Sequence, residues 1–183
     1  IESVLGQDYG GWELIVTDDG STDDSGAVAR DFGARLRYEL QANAGTGAAR
    51  NRGVALARGH QLAFLDQDDL WARGKLRRQV EALDTDPSVE AVFGYVEQFL
   101  SPDIPPELGR TLDCPRGPLP GLLPSALLIR REAFLRVGAF RNELRVGEWA
   151  EWYVRAQQAA VRVRMLPMVV ARRRIHENNK GVV

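Results

Sequence analysis

Leu14-Ile15-Val16-Thr17-Asp18-Asp19-Gly20-Ser21-Thr22-Asp23 and Leu62-Ala63-Phe64-Leu65-Asp66-Gln67-Asp68-Asp69 decide the fold. In each stretch a short apolar run stops at acidic, turn-forming residues. Runs of this length read as buried strands of a parallel sheet. The carboxylates then sit at the carboxyl ends of two strands, the edge at which open α/β sheets bind ligands. Several carboxylates crowded there repel one another unless a cation or hydrogen-bond donors hold them. A divalent metal and a nucleotide together supply both.

Outward from these stretches the chain alternates. Strand 13–17 leads into the first acidic turn, where Ser21 or Asp23 can cap a helix that stops at Gly33. A strand over 36–40, a loop at 43–47, a helix over 48–57 and a strand over 61–65 follow. Leu76, Val80 and Leu83 place an apolar stripe on a helix over 75–83. A strand is expected over 91–96. Residues 100–124 then hold seven of the nine prolines, and a stretch this irregular is a functional loop or a disordered one. A strand over 126–129, helices over 131–137 and 148–159, and half-exposed strands over 161–166 and 169–175 complete the chain. The expectation is an α/β fold with a mostly parallel central sheet flanked by helices.

Bulk composition agrees with one domain. The chain has 183 residues, 44% of them apolar and 27% charged, ordinary for a globular protein with a real core. A net charge of −1 gives no argument for a nucleic acid partner. Cys114 is the only cysteine, so no internal disulfide forms, and a reducing compartment is the simple reading. No apolar run approaches the roughly 20 residues that span a bilayer. Ile1 is not an initiator methionine, and Ile1 to Gln7 reads as the end of a helix. A helix feeding the strand at 14 should itself follow a strand, so the first strand of the sheet is expected to be missing from a truncated chain.

Each motif has a bland reading beside the functional one. Asp18 and Asp19 make an Asx turn and a helix cap, yet one carboxylate would remain to accept from a base or ribose. Asp66 and Asp68 lie on one side of extended chain, roughly 6–7 Å apart, and can share a hard cation or divide between cation and sugar hydroxyl. The bland reading is a solvated loop, with Asp69 capping the next helix. Arg50 could reach a phosphate or the acidic edge, or simply be solvated. Glu148 and Glu151 share a helix face beside Trp149 and Trp152, where desolvation raises a carboxyl pKa and suits a general base. An amphipathic helix explains the same residues. Arg172 and Arg174 face one way on a strand, and His176 is a metal ligand, a phosphate contact or a surface histidine.

The order Asp18-Asp19-Gly20-Ser21, then Asn43-Ala44-Gly45 with Ala49-Arg50-Asn51-Arg52-Gly53, then Asp66-Gln67-Asp68-Asp69, resembles the family 2 glycosyltransferases. The resemblance covers residues 1–100 closely and the rest more weakly. It implies the GT-A fold as a single domain over 1–183, with 1–100 binding the nucleotide-sugar and 101–183 serving acceptor and catalysis. It implies inverting sugar transfer from a nucleoside-diphosphate sugar, a UDP-sugar being favoured, to a glycan, lipid-linked or small-molecule acceptor. By position, Asp18, Asp19, Arg50 and Asp66 contact the donor. Asp66 and Asp68 match the DxD pair, which with His176 would hold Mn²⁺ or Mg²⁺. The family's catalytic Asp position holds Trp149, so the base is Glu148 first and Glu151 second. The Pro-rich segment is expected to serve the acceptor. The expected location is cytoplasmic, with peripheral association at the inner membrane face through a lipid-linked acceptor. A nucleotidyltransferase and a non-catalytic nucleotide- or sugar-binding remnant are the rival readings.

Overall fold

The computed structural model describes residues 1–177 and 179. In chain order the elements are α1 (Glu2–Leu5), β1 (Ile15–Asp18), α2 (Ser25–Asp31), β2 (Arg37–Leu40), α3 (Thr46–Leu56), β3 (Gln61–Ala63), β4 (Leu70–Trp71) and α4 (Lys75–Thr85). There follow β5 (Ala91–Leu100), α5 (Pro106–Gly109), β6 (Leu119–Pro120), β7 (Leu128–Arg130), α6 (Arg131–Val137), α7 (Glu148–Gln158) and β8 (Val163–Ile175). Short 3₁₀ turns occupy Gly33–Arg35 and Pro124–Ala126.

The chain folds into two compact units with interleaved segments. The first comprises Ile1, Tyr9–Leu62 and Ile129–Arg162, and the second Glu2–Asp8, Ala63–Leu128 and Val163–Val183. In the first unit β1 and β2 pair in parallel, with Ile15 opposite Arg37 and Asp18 opposite Leu40. Helix α3 packs on β1, and a Cβ at Gly53 would lie 3.5 Å from Thr17 Oγ1. Its aromatic core stacks Phe134 on Trp152 at 5.2 Å and Trp152 on Trp149 at 5.4 Å. The Trp152 indole N–H donates to Gly138 O at 2.8 Å, so the ring is buried without an orphaned donor.

The second unit holds β4, β5, β6 and β8 of a mixed sheet, with β5 beside β8, β4 on β8 and β6 on β5. β5 and β8 run parallel, while β4 meets β8 and β6 meets β5 antiparallel. Helix α4 covers β5, and Val80, Leu83, Val89, Val92 and Leu128 form an apolar cluster.

The expected α/β architecture is present, with a mixed sheet: β1 pairs with β2 in a two-stranded sheet and is half-buried, and β3 belongs to the mixed sheet. The antiparallel members, β4 and β6, are two residues long, too short to leave a periodic signal. The two strands expected at the end are one, β8, which runs through Pro167. Its register against β5 jumps from Phe93–Met165 to Tyr95–Val169. Pro167, which has no N–H to give a ladder, falls inside that irregularity. Gly94 sits opposite, where a Cβ would lie 2.4 Å from Val170 Cγ1 and 2.8 Å from Met168 O. At the start of α2 the Ser25 N–H donates to Asp23 Oδ1 at 3.0 Å, as the sequence allowed, while Asp24 at the N-cap position makes no side-chain cap.

Candidate functional site

In the first unit the acidic turn after β1 is closed by its own chain. Asp18 Oδ1 accepts from Ser21 N–H at 2.8 Å, and Oδ2 accepts from the Tyr38 hydroxyl at 2.5 Å. The tyrosine bond, with the Ser21 amide, holds this carboxyl below its usual range. Asp19 gathers Gln41 Nε2 at 2.7 Å, Ala44 N–H at 2.9 Å and Gly45 N–H at 2.8 Å. Burial pushes the Asp19 carboxyl up, but these donors outweigh it and hold it low. Both aspartates have partners within the chain. Their work in the fold is to seat the loop at 43–45 against the turn at 18–21. Gly20 is required for that approach: its φ is +79° and a Cβ would lie 2.9 Å from Asn43 N. Arg145, which sequence reasoning missed, donates to Asn43 Oδ1 at 3.2 Å and adds positive charge beside Asp19.

Arg50 and Glu148, 98 positions apart, are brought together. Arg50 Nη1 donates to Glu148 Oε1 at 2.9 Å, and each side chain is 10% exposed. Gly47 makes room for this: a Cβ there would meet Phe140 Cβ at 3.4 Å and Glu148 Cγ at 3.5 Å. Asn51 fixes the same segment, donating to Phe140 O and accepting from Phe140 N–H. Glu151 is not in this arrangement. Arg155 donates to both its oxygens, at 2.7 and 3.0 Å, and Arg141 lies 3.1 Å from Oε1. The Arg155 bonds hold its carboxyl below the usual range, the wrong direction for a base at neutral pH. Trp149 stacks with Trp152 and Tyr153, so the position that carries a carboxylate in the resemblance is used for aromatic packing.

In the second unit the loop 66–69 is tied down on several sides. Asp68 Oδ2 lies 3.0 Å from His176 Nε2 and 3.4 Å from Asn179 Nδ2. Asn179 Oδ1 in turn accepts from His176 N–H at 2.5 Å. Arg174 donates through Nε to Asp68 O and through its backbone N–H to Asp69 Oδ1, both at 3.1 Å. Arg172 and Arg174 also lie over the Phe99 ring, so this basic strand is engaged with the protein. Asp69 does not cap α4. It is buried, and burial, with Asp68 and Asp66 adding repulsion, raises its carboxyl to about 6. Asp66 receives the hydroxyl oxygen of Ser125 at its backbone N–H, 3.2 Å away.

Carboxylate oxygens are the ligands that hard divalent cations take, whereas an imidazole is more usual on zinc, copper, iron or nickel. Among the described residues no three His, Cys, Asp or Glu side chains come together as a metal-holding group. Asp68 with His176 is the pair the fold assembles, and such a pair suits an ion that fills its remaining positions with water and phosphate oxygens.

With this geometry in view, comparison identifies the class. The family description Glycosyl transferase family 2 matches residues 1–138, and the chain belongs to that family. It is 31% identical over 185 residues to the uncharacterized glycosyltransferase EpsJ of Bacillus subtilis, covering 91% of this chain and 53% of that protein. It is 31% identical over 105 residues to the UDP-Glc:alpha-D-GlcNAc-diphosphoundecaprenol beta-1,3-glucosyltransferase WfaP of Escherichia coli, covering 56% of this chain and 41% of that one. The chain thus spans about half the length, or less, of these relatives. The crystal structure of Staphylococcus aureus TarS in complex with UDP-GlcNAc superposes with a TM-score of 0.74 at 19% identity, over 98% of this chain and 54% of that one. The fold is therefore the GT-A fold, as the sequence led us to expect. Among the described residues no helix is long and apolar enough to cross a membrane.

Proposed function

We propose that this chain binds a nucleoside-diphosphate sugar, with a UDP-sugar favoured, and transfers the sugar with inversion to an acceptor hydroxyl. The observation that carries the reading is Asp68 meeting His176 and Asn179 from the far end of the second unit's longest strand. Asp68 with His176 would hold Mn²⁺ or Mg²⁺, and Asp66 would serve the ribose or the metal. A bound cation there would offset charge on the diphosphate leaving group. Asp18 and Asp19 shape the loop expected to take the nucleotide, and Asp19 with Arg50 contacts it.

Glu148 is the general base of this reading. As the acceptor oxygen attacks the anomeric carbon, Glu148 takes its proton, the bond from the anomeric carbon to the diphosphate oxygen breaks, and the nucleoside diphosphate leaves. Arg50 holds one carboxylate oxygen of Glu148 and so sets the direction of the other. The printed names of WfaP and of the TarS complex, one a UDP-Glc enzyme and the other bound to UDP-GlcNAc, support a UDP-sugar donor. WfaP's name also supports a lipid-linked diphosphate acceptor, which would place the protein at the inner membrane face. The Pro-rich stretch 100–124 would contact that acceptor.

Calorimetric titration with UDP, GDP and TDP, with and without Mn²⁺, tests the reading. Metal-dependent binding of UDP, lost in Asp68→Asn, is the expected result. A folded chain that binds none of the three nucleotides would overturn it. Nucleotide binding without turnover of any UDP-sugar would favour the remnant.

A further inference from the structure

Ser125 lies in the 3₁₀ turn Pro124–Ala126 and is wholly buried. A buried hydroxyl needs partners, and here both are in the acidic loop. Its oxygen accepts from Asp66 N–H at 3.2 Å, and its hydroxyl donates to the Asp69 carboxylate. Asp69 N–H also donates to Asp66 O at 3.1 Å, closing a ring of bonds around Gln67 and Asp68.

The turn that carries Ser125 is itself locked. Three consecutive carbonyls, of residues 125, 126 and 127, accept from three different side chains. Trp71 Nε1 donates to Ser125 O at 2.9 Å, Gln79 Nε2 to Ala126 O at 2.8 Å, and Lys75 Nζ to Leu127 O at 3.2 Å. Lys75 and Gln79 are one helical turn apart on α4 and bond to each other at 2.7 Å. Two fully buried polar side chains on a helix, both aimed at one turn, are a costly way to satisfy backbone. The result is a hydroxyl fixed where it can set the loop.

We propose that Ser125 is a positioning residue for the donor site: it presets the acidic loop so that Asp66 and Asp68 meet metal and nucleotide without reorganisation. This rests on reading that loop as the donor site. Ser125→Ala removes one partner from the Asp66 amide and one from the Asp69 carboxylate while leaving every donor to the turn in place. The loop then samples other geometries, and binding carries the cost of ordering it.

The test compares Ser125→Ala with Val80→Ala, a cavity variant in the apolar cluster under α4. Two readouts are taken on each: UDP affinity in Mn²⁺, and hydrogen exchange of the Asp66 amide without ligand. Ser125→Ala is expected to weaken Mn²⁺-dependent UDP binding at least about 10-fold and to speed Asp66 exchange, and Val80→Ala to do neither. Ser125→Thr, which keeps the hydroxyl, should recover the slow Asp66 exchange. Equal losses in Ser125→Ala and Val80→Ala would mean a general stability effect and overturn the proposal, as would unchanged Asp66 exchange in Ser125→Ala. If the unmodified chain fails to bind UDP, the donor-site reading fails instead, and Asp66 exchange alone decides whether Ser125 sets the loop.

Discussion

Arg50 Nη1 meets Glu148 Oε1 at 2.9 Å, joining α3 to the first residue of α7 with both side chains 10% exposed. An ion pair so shielded is costly to break from one side, because the surviving charge stays desolvated. The pair is also where the proposed base is aimed.

Arg50→Met and Glu148→Gln should therefore each lower unfolding free energy by about 3–5 kcal/mol. The double variant should cost less than the sum, since it leaves no lone charge. Glu148→Gln should in addition lower kcat for UDP-sugar turnover by about 10²–10⁴-fold, the usual contribution of a general base. Denaturant unfolding of the four proteins and turnover of Glu148→Gln check this. Additive stability losses, or full activity without the Glu148 carboxylate, would defeat it.

Glu151→Gln separates the two candidate bases. Glu151 is partly exposed and spends its carboxylate on Arg155 and Arg141. Breaking such a pair costs about 1 kcal/mol or less. Turnover should stay within about threefold of the unmodified chain, less than a tenth of the loss a general base would cause. A loss of 100-fold or more would transfer the base assignment from Glu148 to Glu151.

The sequence carried the local half of this site. The strands leading into Asp18 and Asp66, the helix that stops before Gly33 and the stripe on α4 all follow from neighbours within a few residues. The partners did not. Tyr38 on Asp18, Glu148 on Arg50 and His176 on Asp68 lie 20, 98 and 108 positions away. No periodicity reports a contact across such a distance. Residue type alone leaves His176 open between metal ligand, phosphate contact and surface histidine, and Ser125 and Gln79 leave no signal, being ordinary residues whose burial depends on the whole sheet.

His176→Ala tests the Asp68 contact directly. The two side chains are 26% and 30% exposed, so their pairing adds little stability, about 1 kcal/mol at most. If His176 serves the metal or orients Asp68, Mn²⁺-dependent UDP affinity should fall about 10–100-fold with the melting temperature nearly unchanged. Calorimetry beside a thermal melt distinguishes the outcomes. Unchanged affinity would return His176 to a structural role.

Lys75 makes a prediction about pH. Its ammonium is wholly buried, bonds to Gln79 Oε1 and Leu127 O, and lies 4.4 Å from the centre of the Trp71 ring. Burial pushes its pKa down to about 7, from 10.5 for an exposed lysine. Below pH 7 both folded and unfolded chains hold the proton, and the cost of burying the charge is fully present. Between about 7 and 10.5 the unfolded chain binds a proton that the folded chain has released. More protons on the unfolded state mean that stability rises with pH through this window. From pH 7 to 9 the rise attributable to this one group is up to about 3 kcal/mol. Urea midpoints of the unmodified chain should climb over that range, and those of Lys75→Met should climb by distinctly less. Parallel profiles for the two proteins would mean that Lys75 keeps its proton in the fold, held by Gln79, the Leu127 carbonyl and the indole face.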